Sequence, residues 1–160
     1  MQLHNIASCP SSNTKEEKIL LTKLVSAFNL AMSLGAFYMG ISMLPFMGVF
    51  VEFPPEWVGV MPFNSWSALA TYGMVVFGSG NAVAAVYGFV RKTRKIFVAN
   101  LGLGVLLFLS AALPIMLLGE WYLPLVFFFV LSFIQIALGL YGVFSKHKTG
   151  SQASKEILNQ

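Results

Sequence analysis

The stretch VVFGSGNAVAAVYGFVRKTRK, residues 75–95, decides the fold. Read one way, it is a strand, a glycine turn and the start of a helix, which is how a phosphate-binding loop opens. Read the other way, it is the inner half of a membrane helix that ends on a cluster of bases. A dinucleotide fingerprint needs small residues spaced G-x-G-x-x-G and an acidic residue about 20 positions later. Gly78 and Gly80 fit, but the third position is Val83, and RKIFVANLG (94–102) downstream has no Asp or Glu. No Lys-Ser or Lys-Thr pair follows the glycines at the distance a Walker-type loop requires. At helical spacing the residues fall into a different order. Gly80, Ala84 and Gly88 lie four apart, as do Gly78 and Ala82, with Asn81 and Ala85 extending the face. Such a small-xxx-small surface lets a second helix backbone come close, so Gly78, Gly80, Ala84 and Gly88 are expected to pack helices.

The surrounding chain supports the membrane reading. The 160 residues are 57% apolar and 10% charged, against about 25% charged in soluble proteins. Four stretches carry no charge: Leu24 to Val51, Trp57 to Val90, Ile96 to Gly119, and Trp121 to Ser145. Each exceeds the roughly 20 residues that cross about 30 Å of hydrocarbon as a helix. Trimmed at their interfacial residues, they predict spans near 24–44, 66–90, 96–118 and 122–144. Pro45 stops the first, and Pro124 suits the first turn of the last. The apolar runs are continuous rather than alternating, which favours helices over barrel strands. The expected fold is an all-α membrane protein, a four-transmembrane-helix bundle running up-down-up-down with both termini cytoplasmic. Its parts are a polar tail (1–23), the membrane domain (24–144) and a second polar tail (145–160). The polar tail ahead of the first span and the lack of an A-x-A-like site after Leu44 argue against a cleaved signal peptide. Cys9, the single cysteine, cannot form an internal disulfide.

Orientation follows from the bases. Lys15, Lys18 and Lys23 precede the first span, Arg91, Lys92, Arg94 and Lys95 fill the loop 91–95, and Lys146, Lys148 and Lys155 follow the last. With four crossings all ten lie on one side, which the positive-inside rule makes cytoplasmic. Glu52, Glu56 and Glu120 are left outside. The loop 91–95 serves as a topology signal or as a seat for anionic lipid headgroups, at about 1 kcal/mol per base. It has no aromatic platform, so no nucleic-acid partner is expected.

Each span carries one side-chain amide on a stripe of small residues. Ser26, Asn29, Ser33, Ala36 and Gly40 share one face of the first. Asn100, Gly104, Leu107 and Ala111 share one of the third, and Ser132, Gln135, Gly139 and Gly142 one of the fourth. Counted from the basic ends, Asn81 and Gln135 lie about 15–17 Å deep, and Asn29 and Asn100 about half as deep. Two layers are expected, each holding one diagonal pair of amides. Asn29, Asn81, Asn100 and Gln135 are thus candidates for interhelical clasps or for a polar site within the membrane. No Asp, Glu, His, Lys or Arg lies inside a span, which argues against proton-coupled export and voltage sensing.

The segment from Met43 to Trp66 is apolar for an external loop (45–65), and Pro45, Pro54, Pro55 and Pro62 prevent one regular helix across it. It reads as an interfacial cap joined by Trp121 and Tyr122. His4, Cys9 and His147 have no ligand-spaced partners, and the three outer glutamates are a weak metal signal, so neither a metal nor a cofactor is expected. No catalytic arrangement is found. The leading expectation is a non-catalytic accessory or interaction subunit in the cell membrane, meeting a protein partner or further copies through its helix faces. An oligomeric transporter or channel component for a neutral or lipid-like solute is the alternative, and a membrane-embedded enzyme comes third.

Overall fold

The computed structural model describes residues 11–44, 50, 52–91, 95–119 and 123–144. The tail 1–10, the loop 45–49, Val51, Lys92 to Arg94, Glu120 to Tyr122, and 145–160 lie outside the described residues. Expectations that fall on them, including the joining of the cap by Trp121 and Tyr122, lie outside as well.

Among the described residues, four long helices make the fold: α1 (Ser11–Met43), α2 (Trp66–Arg91), α3 (Lys95–Leu118) and α4 (Leu123–Phe144). Each is long and apolar enough to cross a membrane, and no strand occurs among the described residues. The protein is all-helical and has the form of a multi-pass membrane protein. Continuous apolar runs take this form because a helix satisfies its own backbone donors and acceptors where no water is available. α1 begins well ahead of Leu24, taking in the second half of the polar segment 1–23.

The ends are set by local chemistry. Ser65 caps α2 with its hydroxyl, which accepts from the Ala68 amide at 3.3 Å. Gly119, at φ +69°, closes α3 by donating its N–H to the Ile115 carbonyl at 2.9 Å. Such a left-handed position suits glycine, which has no Cβ to clash. Pro114 lies inside α3, where it lacks an N–H for the Ser110 carbonyl. The neighbouring Ser110 hydroxyl pairs with the Tyr72 hydroxyl at 3.1 Å, linking α3 to α2.

α2 is not uniform. Residues Gly73–Ser79 wind as a π-helix, just ahead of Gly80 and Asn81. A π segment inserts a residue and leaves carbonyls poorly aligned with their usual donors. Two serines attend to them: Ser33 of α1 donates to the Gly78 carbonyl at 2.8 Å, and Ser79 donates back to that of Val75.

Glycines bring the helices together in two close pairs. Between α1 and α2, a Cβ on Gly40 would meet the Met74 side chain, one on Gly78 the Phe37 ring, and one on Gly88 the Ser26 side chain. Between α3 and α4, a Cβ on Gly142 would meet the Phe97 ring, one on Gly139 the Leu101 backbone, and one on Gly104 the Ile136 backbone. Val25, Ile96 and Phe97 form a buried apolar cluster joining α1 to α3. Outward-facing residues such as Leu34, Tyr38, Val75, Val83, Leu109, Met116 and Phe133 are large, apolar and exposed. Polar groups inside and hydrocarbon outside is the inverse of a soluble protein.

Part of the segment between α1 and α2 folds over Trp66. Its ring meets those of Phe50 and Phe53 at 5.2 Å and Trp57 at 5.8 Å, all near edge-to-face. The Trp66 indole N–H donates to the Glu52 carbonyl at 2.9 Å. Trp66→Ala is therefore expected to cost about 1–2 kcal/mol locally. Limited proteolysis should then cut near residues 52–61 faster, with helix content by circular dichroism unchanged.

Candidate functional site

Asn29, Asn81, Asn100 and Gln135, one from each helix, have no exposed surface at all. The three asparagines could not lie in hydrocarbon unpaired without a cost of a few kcal/mol each. Asn29 and Asn81 first satisfy themselves locally, each donating an Nδ2 hydrogen to the carbonyl four residues back, on Val25 and Phe77, at 2.8 Å. Those two contacts fix the amide orientation, because only the nitrogen can donate to a carbonyl. Both Oδ1 atoms therefore face away from their own helices.

Gln135 is the group they face. Its Nε2 donates to Asn81 Oδ1 at 2.9 Å and to Asn29 Oδ1 at 3.3 Å, using both hydrogens. Asn100 completes the cluster by donating Nδ2 to the main-chain oxygen of Gln135 at 2.6 Å. A main-chain carbonyl has two lone pairs, so this bond adds to the helical one. One residue of α4 thus ties α1, α2 and α3 together. Glutamine suits the position because its extra methylene reaches past α4's surface, and its single nitrogen serves two acceptors.

The expected pairing is met in one half and not in the other. Asn81 and Gln135 bond directly across the helices. Asn29 and Asn100 do not pair with each other, and both instead reach residue 135. The reason is one of reach. Gly88 lies against Ser26 and Gly78 against Phe37, a register that sets Asn29 only about one turn, or 5–6 Å, from Asn81 along the axis. A glutamine side chain spans that offset, so two nominal layers fuse into one network.

Two acceptors in this network have no hydrogen-bond partner among the described residues: Gln135 Oε1 and Asn100 Oδ1, both buried. Neither can turn to use its nitrogen instead without breaking the bonds that nitrogen already makes. What the centre can still accept is a hydrogen-bond donor, and a neutral one, since no charged side chain lies within the cluster.

The packing candidates divide by neighbour. Gly78 faces α1, Gly88 faces both Ile96 of α3 and Ser26 of α1, Gly80 faces Leu103 of α3, and Ala84 is buried between. Of the basic group, Arg91 and Lys95 are exposed at the facing ends of α2 and α3, and Lys92 and Arg94 lie outside the described residues. Ser26, Ser33 and Ser132 are buried beside the amides; Ser26 and Ser132 donate within their own helices at 2.8 and 2.7 Å. Sequence reading did not find the π segment or Tyr72 with Ser110. A clue to the first was the density of glycine at 73, 78 and 80 in one span. In comparisons with known proteins, no family model, curated protein or solved structure matches this chain.

Proposed function

We propose that this is a non-catalytic subunit of a membrane complex, acting through its outer helix faces and aromatic cap. The observation that carries the reading is the division of labour among its side chains. The polar groups of the spans bond to one another or to nearby carbonyls, whereas the surface offered to neighbours is broad, apolar and made of large side chains. In the proposed topology the chain runs up-down-up-down with both termini cytoplasmic. The one-sided distribution of bases supports the orientation, and the opposed order of the glycine contacts within each close pair supports the alternation.

Single cysteines at Leu34, Tyr38, Val105, Leu109 and Phe133, placed in a Cys9→Ser background, test the reading in native membranes. Cross-linking to one partner protein from both positions of a four-residue pair, 34 and 38 or 105 and 109, is expected. Uniform labelling by a lipid-phase probe at every position, with no protein adduct, would contradict it.

A second reading rests on Gln135 Oε1 and Asn100 Oδ1. Unpartnered acceptors at the centre suit passage of a small neutral donor, such as a hydroxylated solute, through an oligomer. Flux of such a solute into proteoliposomes, lost in a correctly folded Asn81→Leu/Gln135→Leu double variant, would favour it over the subunit reading.

A further inference from the structure

The two close pairs meet differently from the way each pair closes on itself. Within a pair, glycines are in contact with the opposite helix along its length; along the seam between α2 and α3, Gly88 meets Ile96 and Gly80 meets Leu103, and beside those two contacts a groove stays open. Gly80, Val83, Ala84 and Tyr87 of α2 face Lys95, Ile96, Ala99 and Leu103 of α3 around an open groove of about 330 Å³. Buried Ala84 and Ile96 form its floor, and exposed Val83 and Ala99 lie on its rims. From Lys95 to Leu103 is eight residues, so the groove runs roughly 12 Å along the helices.

One end of this apolar trough is basic. Lys95 lines it directly and exposed Arg91 ends the opposite helix. The sequence adds Lys92 and Arg94 between them, and no acidic residue occurs anywhere from 57 to 119. The chain's own α2–loop–α3 segment therefore supplies no countercharge. A strip of hydrocarbon surface ending in bases that α2 and α3 themselves do not neutralise, at the depth where a span leaves the membrane, has the polarity of a phospholipid read lengthwise. We propose that the α2–α3 groove is a binding site for one anionic phospholipid, with an acyl chain against Gly80, Ala84 and Ala99 and the headgroup phosphate on Lys95 and Arg91. Zwitterionic lipid offers the same chains but no net charge, so the site discriminates by headgroup while holding by the chain. The proposal requires insertion in a bilayer and is independent of which partner the outer faces meet.

Lipid retention by the full-length protein tests this. The protein is reconstituted in phosphatidylcholine vesicles with and without phosphatidylglycerol, extracted gently, and the bound lipid is counted by native mass spectrometry. One phosphatidylglycerol retained per chain in preference to phosphatidylcholine is expected. Two bases at about 1 kcal/mol each correspond to a loss of about 10- to 30-fold in that preference for Arg91→Gln/Lys95→Gln. Ala99→Trp, which fills the groove from an exposed position, should abolish retention with the bases intact, and Val83→Trp provides a second filler should the first fail to fold. Equal retention of the two lipids by the unaltered protein would overturn the proposal. So would a preference that the base variant loses but both fillers keep, because the lipid would then sit on the loop and not in the groove.

Discussion

Gln135→Leu is expected to lower the stability of the helix assembly in a bilayer or mild detergent by about 2–4 kcal/mol, more than any other single change at the polar centre. The variant removes two interhelical hydrogen bonds, which average about 0.6 kcal/mol each in membrane proteins and reach about 1.7. It also leaves Asn29 Oδ1 and Asn81 Oδ1 buried without a donor, and an orphaned acceptor costs about 1–3 kcal/mol. The pattern of loss is as diagnostic as its size. α1 remains closed on α2, and α3 on α4, because glycine contacts hold those pairs. What loosens is the joint between the pairs. Asn81→Leu alone should cost about 1 kcal/mol and add little in the Gln135→Leu background. The triple variant Asn29→Leu/Asn81→Leu/Gln135→Leu should recover much of the stability, since the two acceptors that Gln135 served are then gone. Reversible unfolding followed by intrinsic tryptophan fluorescence gives all of these values.

Gly139→Leu acts on the other bond type and should have a comparable effect, about 3 kcal/mol or more. A Cβ at residue 139 would stand 2.9 Å from the backbone nitrogen and Cα of Leu101. Backbone cannot rotate aside as a side chain can, so the helices must separate or slide. Separation of α3 from α4 also pulls Asn100 from the Gln135 carbonyl, so one substitution disturbs both packing and network. Gly102 is the control. A Cβ there meets nothing within 4 Å, and Gly102→Ala should be neutral or stabilising by up to about 1 kcal/mol through helix propensity alone. Thermal unfolding of the two variants side by side measures the contrast.

Much of this was legible in the sequence because membrane helices obey few rules. Unbroken apolar runs of sufficient length have one economical form, so four helices could be expected, although α1 starts at Ser11, well ahead of its apolar run. Pro45 marked an end because proline acts locally, whereas the capping hydroxyl of Ser65 came to light only in the structure. The inward faces were legible for a related reason: Ser26, Asn29 and Ser33, or Gly104 and Gln135, are the residues that hydrocarbon would exclude. What the sequence withheld depended on distances between helices. Whether Asn29 meets Asn100 or Gln135 depends on axial offsets of one turn and on side-chain reach, and no spacing within a single helix encodes either. The π segment escaped notice because its cause is tertiary, with Ser33 of another helix taking up the Gly78 carbonyl. Gly80 was read as a contact for a neighbouring helix, and it touches one only at Leu103; much of the space before it stays open as the groove.

The central claim is that one glutamine joins helices that glycines have already paired. Solid-state NMR of the ¹³C,¹⁵N-labelled protein in lipid bilayers tests it most directly, through correlations between the Gln135 side-chain nitrogen and the amide carbonyl carbons of its neighbours. Cross-peaks from Gln135 Nε2 to the Cγ atoms of both Asn29 and Asn81 are predicted. Their absence, with correlations from that nitrogen to lipid acyl chains in their place, would contradict the account.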